Sequence, residues 1–264
     1  MSTALLDTIF QARRQRVRRA ESQKPLAALK QQAAAQPPAL DFSGALTRHF
    51  PAIIAEVKKG SPSRGVFKAA FDPLALAKAY AVGGAAAISV VTEPDFFGGD
   101  LEWVGHIKQT VALPILRKDF MFSEYQVWES RAAGADAVLL ILAMLSDEEA
   151  AKLLYEAETA GLQCLVEVHD ETEAARACRL DARLVGVNNR NLQTFEVDLQ
   201  TSELLAPHLP PAAVHVAESG IHTQAECLRL ARCGYGAFLV GEALVTSDDP
   251  ALLLRSLRGA DAAH

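Results

Sequence analysis

Four segments of the chain, AVGGAAAISVV, RAAGADAVLLI, AETAGLQCLVEV and ARCGYGAFLVG, share one order: helix formers, a glycine, then at once an apolar stretch. Glycine is the residue that most readily ends a helix, so each joint reads as a helix feeding a strand. The apolar stretches are nearly continuous rather than alternating, which is the pattern of strands covered on both faces. Such joints imply parallel strands connected by helical crossovers. Strands are expected near 52–57, 86–91, 113–117, 136–142, 163–168, 184–188, 214–218 and 237–240. Eight strands in 264 residues, half of them hydrophobic, match one closed (β/α)8 TIM barrel. Periodicity alone also admits an open doubly wound sheet, but no GxGxxG follows the first strand, which lowers the dinucleotide-binding version of that fold.

Ahead of these strands, Gln36-Pro37-Pro38 reads as a linker. Leu6, Ile9, Phe10 and Val17 lie close to helical spacing, so Arg13, Arg14, Arg16, Arg18 and Arg19 are expected on the solvated face of an amphipathic helix. Such a helix packs on its own domain more often than it serves as a transit peptide or a nucleic-acid arm. The formal net charge of −6 argues against nucleic-acid binding, which needs a dominant basic surface. No apolar run approaches the roughly 20 residues of a membrane span, and residues 1–20 lack a secretory h-region, so a cytoplasmic protein is expected. Cys164, Cys178, Cys227 and Cys233 form no CxxC pair and the histidines no HExxH. No metal site is legible, and buried free thiols are expected.

In a barrel of this kind the active site forms at the C-terminal strand ends. Polar groups end six of the eight apolar runs. Strand one runs into EVKKGSPSRG, where period two puts Glu56 and Lys58 on one face. Strand three ends in Lys118 and strand five in Glu167. Strand six supplies Asn188 and Arg190, strand seven Glu218 and Ser219, and strand eight Gly241. A charge at a strand end is ordinarily a solvated loop residue, and a lysine beside a glutamate is often a structural ion pair. Convergence of all of them on one rim is what favours a site. Gly220, together with Gly241, Glu242 and Ala243, sits where many barrels hold phosphate on backbone N–H groups, and Ser61 can add a hydroxyl. Tight turns alone would also account for these glycines.

EVKKGSPSRG, LRKDF, LVEVH, GVNNRNL followed by TFEVDL, and AESGI with LVGEAL resemble, in that order, the signatures of indole-3-glycerol phosphate synthases. The resemblance spans nearly the whole chain, and LLDTIFQARR with KPLAAL is similar to the family's helical extension over the barrel mouth. Gly60 and the Gly98-Gly99 pair depart from the pattern without replacing a chemical group. The resemblance implies residues 1–48 as extension and 49–264 as the catalytic barrel. It also implies the substrate 1-(2-carboxyphenylamino)-1-deoxyribulose 5-phosphate, with no cofactor and no metal, and a monomer is expected.

By position, Lys118 resembles the general acid of ring closure, Glu167 the group that manages protons in dehydration, and Glu56 the carboxylate that holds the lysines. Lys58 then faces the substrate carboxylate or serves as a second acid. Asn188, Arg190 and Glu218 orient the substrate, while Ser61, Ser219, Gly220, Gly241 and Glu242 fit the phosphate and polar contacts. Burial and a neighbouring cation are expected to bring Lys118 toward working pH, and Phe96, Phe120 and Leu192 to clamp the aromatic ring. A phosphoribosylanthranilate isomerase is the nearest rival, but such enzymes rely on Cys and Asp where this chain has Glu56, Lys58 and Asn188. A non-catalytic phosphate-ligand protein on the same fold is the alternative from another class, separable by a decarboxylation assay.

Overall fold

The computed structural model describes residues 2–62 and 64–259. Its strands are β1 (Ala52–Val57), β2 (Ala87–Val91), β3 (Ile115–Lys118), β4 (Ala137–Ile141), β5 (Gln163–Val168), β6 (Leu184–Asn188), β7 (Val214–Glu218) and β8 (Ala237–Val240). All are parallel, each pairs with its sequence neighbours, and β8 closes on β1 through Ala52↔Ala237 and Ile53↔Phe238. The closed barrel excludes the open sheet. β3 starts two residues later than expected and reaches Lys118, because Pro114 has no N–H to give the ladder and contributes only its carbonyl to Ile88. The four joint glycines adopt positive φ at Gly84, Gly134, Gly161 and Gly234, the conformation a helix stop requires.

Period two sorts each strand into an outer and an inner set. Ile53, Ala55, Val90, Val138, Val166, Val185 and Phe238 face the surrounding helices. Ile54, Leu116, Leu165 and Val216, from alternate strands, fill the interior as a layer of four side chains. Two residues further along the same strands come Glu56, Lys118, Glu167 and Glu218, so the next interior layer is made of ionisable groups.

The two ends of the barrel are treated differently. At the N-terminal end, α3 (Phe42–Thr47) inserts Phe42 and Leu46 into the interior cluster, and Asp41 caps it by accepting the Gly44 N–H at 2.9 Å. Gln163 pins α3 by accepting from the Ser43 N–H at 2.9 Å and donating to the Ser43 hydroxyl at 2.7 Å. At the other end lies α1 (Ser2–Gln23), with Leu6 and Ile9 against the mouth. α2 (Leu26–Ala34) packs Leu29 with Val17 of α1 and Tyr125 of α6 (Glu124–Ala133).

The arginines of α1 are not uniformly solvated, contrary to the expectation from its spacing. Arg13 is 8% exposed and makes a bidentate pair with Asp119 at 2.8 and 2.6 Å. Arg16 pairs with Asp95, and Arg14 stacks over Phe10 and Phe122. Helical periodicity counts an arginine as polar, whereas carboxylates on the loops after β2 and β3 make burying it favourable. Nor are the thiols uniformly buried: Cys227 is, Cys164 and Cys233 are half-buried, and Cys178 is exposed, all of them free. Among the described residues no helix is long and apolar enough to cross a membrane.

Phe42→Ala removes a fully buried ring from the barrel floor and is expected to cost about 3–5 kcal/mol in denaturant unfolding. Deleting residues 1–40 spares α3, and the expected product is a cooperatively folding barrel with raised KM. An unchanged KM, or a truncated chain less stable than the Phe42→Ala variant, is the contrary result.

Candidate active site

A cavity of about 580 Å³ opens at the C-terminal ends of the strands. The catalytic and phosphate or polar-contact residues expected from the sequence line it: Glu56, Lys58, Ser61, Lys118, Glu167, Asn188, Arg190, Glu218, Ser219, Gly220, Gly241 and Glu242. Phe120 and Leu192 also face it, whereas Phe96 does not and Phe97 takes its place. The reason is local. Glu93 accepts the backbone N–H groups of Asp95, Phe96 and Phe97, winding the loop after β2 so that Phe97 turns inward, 6.0 Å from the Phe120 ring.

Lys118 is the hub. Its Nζ donates to Glu167 Oε2 at 3.1 Å and to Glu218 Oε2 at 3.0 Å. Burial alone would lower its affinity for the proton, but Glu167, Glu218 and Glu56 outweigh that and hold the ammonium above the ordinary lysine range. This corrects the expectation of a lysine brought down toward neutrality, because its neighbours are anions rather than the second lysine. Lys58 pairs instead with Glu56, Nζ to Oε2 at 2.7 Å.

The two carboxylates on Lys118 differ. Burial raises Glu167, but Lys118, His169 and Asn188 overcome it and hold Glu167 well below the carboxylate range. Glu218 is pushed up to about 7, because burial and the anions of Glu167 and Glu56 outweigh Lys118. Asn188 donates to Glu167 Oε1 at 3.0 Å while its carbonyl accepts from Arg190 N–H at 3.0 Å and Ser219 hydroxyl at 2.9 Å. The Arg190 guanidinium donates to the Phe195 carbonyl at 3.0 Å, closing the loop that carries Leu192 over the cavity.

Gly241 and Gly186 do something the sequence did not disclose. A Cβ at Gly241 would stand 2.2 Å from Glu56 Oε2, and one at Gly186 2.2 Å from Glu218 Oε1. Their missing side chains are the space these carboxylates occupy. Ser219 holds φ 66 and Gly220 φ 80, a left-handed pair that turns the chain away from β7. Asn189 fixes that turn by donating to the carbonyls of Glu218 at 3.0 Å and Ser219 at 3.1 Å. Glu242 opens α11 (Glu242–Thr246) and pairs with Arg64, which joins the β8 end to the hairpin of Gly60–Ser61 and Gly65–Val66.

Sequence reasoning missed Glu93 and Asp119, which line the cavity and hold its loops, and His169 and Asn189, which touch functional groups from outside the lining. Adjacency to the motifs was the one available signal. Among the described residues no group of three or more His, Cys, Asp or Glu has the arrangement of a metal site.

A closed parallel barrel with an ammonium and carboxylates as its top interior layer defines a (β/α)8-barrel enzyme with an acid–base site. Solved structures share the fold: a 3-hexulose-6-phosphate synthase (TM-score 0.61, 18% identity, covering 79% of this chain and 99% of that one) and a tryptophan synthase α-subunit variant from Pyrococcus furiosus (0.61, 15%, 80% and 99%). The sequence family described as indole-3-glycerol phosphate synthase matches residues 6–257. Relatives bearing that name include one from Albidiferax ferrireducens, 45% identical over 97% of this chain and 98% of its own length, and one from Rhodococcus jostii, 46% identical over 98% and 96%. The chain belongs to the indole-3-glycerol phosphate synthase family.

Gly186→Ala tests the space argument. The added methyl displaces the buried tip of the Glu218 side chain, so the unfolding free energy is expected to fall by about 1–3 kcal/mol while kcat/KM falls about tenfold or more. Unaltered activity in the folded variant would show that the position of Glu218 is not critical.

Proposed function

We propose that this cavity converts 1-(2-carboxyphenylamino)-1-deoxyribulose 5-phosphate into indole-3-glycerol phosphate, CO2 and water. As a member of its family the protein is a carboxy-lyase of tryptophan biosynthesis. The observation that carries the reading is the charged Lys118 held inside the barrel by two carboxylates, facing a cavity with aromatic and apolar walls on one side and the Ser219-Gly220 turn and Gly241 on another.

The substrate phosphate is assigned to the backbone N–H groups near Gly220 and Gly241 with the Ser61 hydroxyl, and the aromatic ring to the wall of Phe97, Phe120 and Leu192. Lys58 meets the substrate carboxylate. In ring closure the ring carbon bearing that carboxylate attacks the ribulose carbonyl, and Lys118 supplies a proton to the oxygen as its negative charge develops. A developing alkoxide is more basic than the amine, so a lysine that rests fully charged can still deliver its proton. Loss of CO2 then restores the aromatic ring. The hydroxyl leaves as water after a second protonation, and Glu167 accepts a proton from the carbon beside the nitrogen. Two protons are taken up and one is returned, which balances the charge carried away when a carboxylate departs as neutral CO2.

α1 closes the site with Leu6 and Ile9, the role we assign to the first part of the extension of residues 1–48, whereas α3 within the same extension floors the opposite end of the barrel. We place the protein in the cytoplasm and read it as a monomer. An isomerase of the same fold would yield no indole absorbance, and a binding protein would release no CO2.

Lys118→Met keeps length and apolar bulk while removing the proton. The expected loss is in kcat, about 100- to 10,000-fold, with KM nearly unchanged. Lys58→Met, which removes a cation from ground-state binding, should raise KM as well. Steady-state kinetics beside binding of an unreactive reduced substrate analogue separates the two, and a Lys118→Met defect confined to affinity would refute the assignment of the general acid.

A further inference from the structure

Glu167 and Glu218 approach the same ammonium at nearly equal distance, 3.1 and 3.0 Å. Lys118 therefore does not decide which of them is the stronger base. Their other neighbours do. Glu218 Oε1 has no hydrogen-bond partner among the described residues, and Glu56 from β1 adds a further negative charge beside it. Glu167 Oε1, by contrast, receives the Asn188 amide from β6 at 3.0 Å and lies 3.0 Å from His169 Nε2 in an ion contact. His169 lies just past the end of β5, and on its far side Nδ1 meets Glu173 Oε2 at 3.0 Å, where Glu173 belongs to α8 (Glu171–Arg179). The same Glu173 oxygen accepts the His169 backbone N–H at 2.8 Å, and Asp170 caps α8 by accepting the Glu173 N–H at 2.8 Å. The ring is thus clamped between two carboxylates, with its side chain 12% exposed and outside the cavity lining.

We propose that His169 is the positioning residue that decides which carboxylate on Lys118 remains an anion: its imidazolium, fixed by Glu173, keeps Glu167 charged and oriented, and leaves Glu218 to take up a proton. Nδ1 hydrogen-bonds Glu173, while Nε2 stands 3.0 Å from Glu167 Oε1 as an ion contact without a hydrogen bond among the described residues, and a ring flanked by two anions is favoured as the cation. Burial works against that charge, but the contacts with Glu167 and Glu173 outweigh it and raise His169 to about 10. The charged groups that bear on this trio are Lys118 from β3, Glu218 from β7 and Glu56 from β1, whose own charge is paired with Lys58, and the one cation that both carboxylates share is Lys118. Removing His169 removes the charge asymmetry. For catalysis this inference rests on the reading of Glu167 as the group that accepts a proton in dehydration, since a base must be the anion when its turn comes.

The test uses the full chain labelled with 13C at the glutamate carboxyls, with signals assigned by their loss in Glu167→Gln and Glu218→Gln. In the unaltered protein the Glu218 signal should titrate near pH 7 while that of Glu167 stays flat through the same range. In His169→Gln, which retains a neutral donor, the Glu167 signal should titrate as well, and kcat should fall about tenfold, the equivalent of one pK unit, with KM within about threefold. Glu173→Gln provides a second route should His169→Gln fail to fold. The 15N signals of His169 should then titrate below about 10 with the ring still in place. Three results would overturn the proposal: a flat Glu167 signal in His169→Gln, the two carboxylates titrating together in the unaltered protein, or a His169 titration unmoved by Glu173→Gln. Retention of kcat by Glu167→Gln would instead refute the reading of Glu167 as the base, and the carboxyl titrations would stand independently of it.

Discussion

The contact on which the rest of the site depends is the ammonium of Lys118 between Glu167 and Glu218, within the barrel and two residues above an apolar layer. A charge in such surroundings is tolerated only when paired, and a pair only when its remaining atoms are satisfied. The structure meets those terms unequally. Glu167 has the Asn188 amide on its other oxygen and the His169 ring in ion contact with it, and among the described residues Glu218 Oε1 has no hydrogen-bond partner. Inequality of this kind lets two identical side chains do different chemistry, because the less stabilised anion, Glu218, takes up a proton at rest and leaves Glu167 as the anion.

That cluster needs room, and the barrel provides it by omission. Two interior positions that would ordinarily carry an aliphatic side chain are Gly186 and Gly241, and the space is taken by the carboxylates of Glu218 and Glu56. Packing and catalysis thereby share residues. The layer of Ile54, Leu116, Leu165 and Val216, floored by Phe42 and Leu46, is buried and apolar, so the polar layer above stands on a close-packed base.

The mouth is tied to this layer through Asp119, the residue after Lys118. Asp119 is buried, and burial opposes its charge, but Arg117 and Arg13 with the Thr92 hydroxyl hold it ionised. Arg13 comes from α1, so the helix that places Leu6 and Ile9 against the cavity is anchored one residue from the hub. Arg117 continues the connection into α6 through Glu129 and Ser130. A helix read from its sequence as an amphipathic cover is in fact joined to the strand that carries the chemistry.

Much of this was legible in the residues alone. The glycine joints and continuous apolar runs determined parallel strands and their number, since helix termination and two-sided burial act over a few residues. Period two put Glu56 and Lys58 on one face, the apolar runs ended at Lys118, Glu167 and Glu218, and the ordered motifs named the rim. What only the tertiary structure decided were relations between strands distant in sequence. Lys118 and Glu218 are separated by 100 residues, and the anions gathered around the lysine reverse the direction expected for its proton affinity. Phe97 rather than Phe96 turns inward because Glu93 winds the loop, and Arg13 is buried because Asp119 awaits it. A pattern along the chain reports which side of an element a residue occupies. Which charge it meets there depends on distance in space, and electrostatic energy in a poorly screened interior follows that distance.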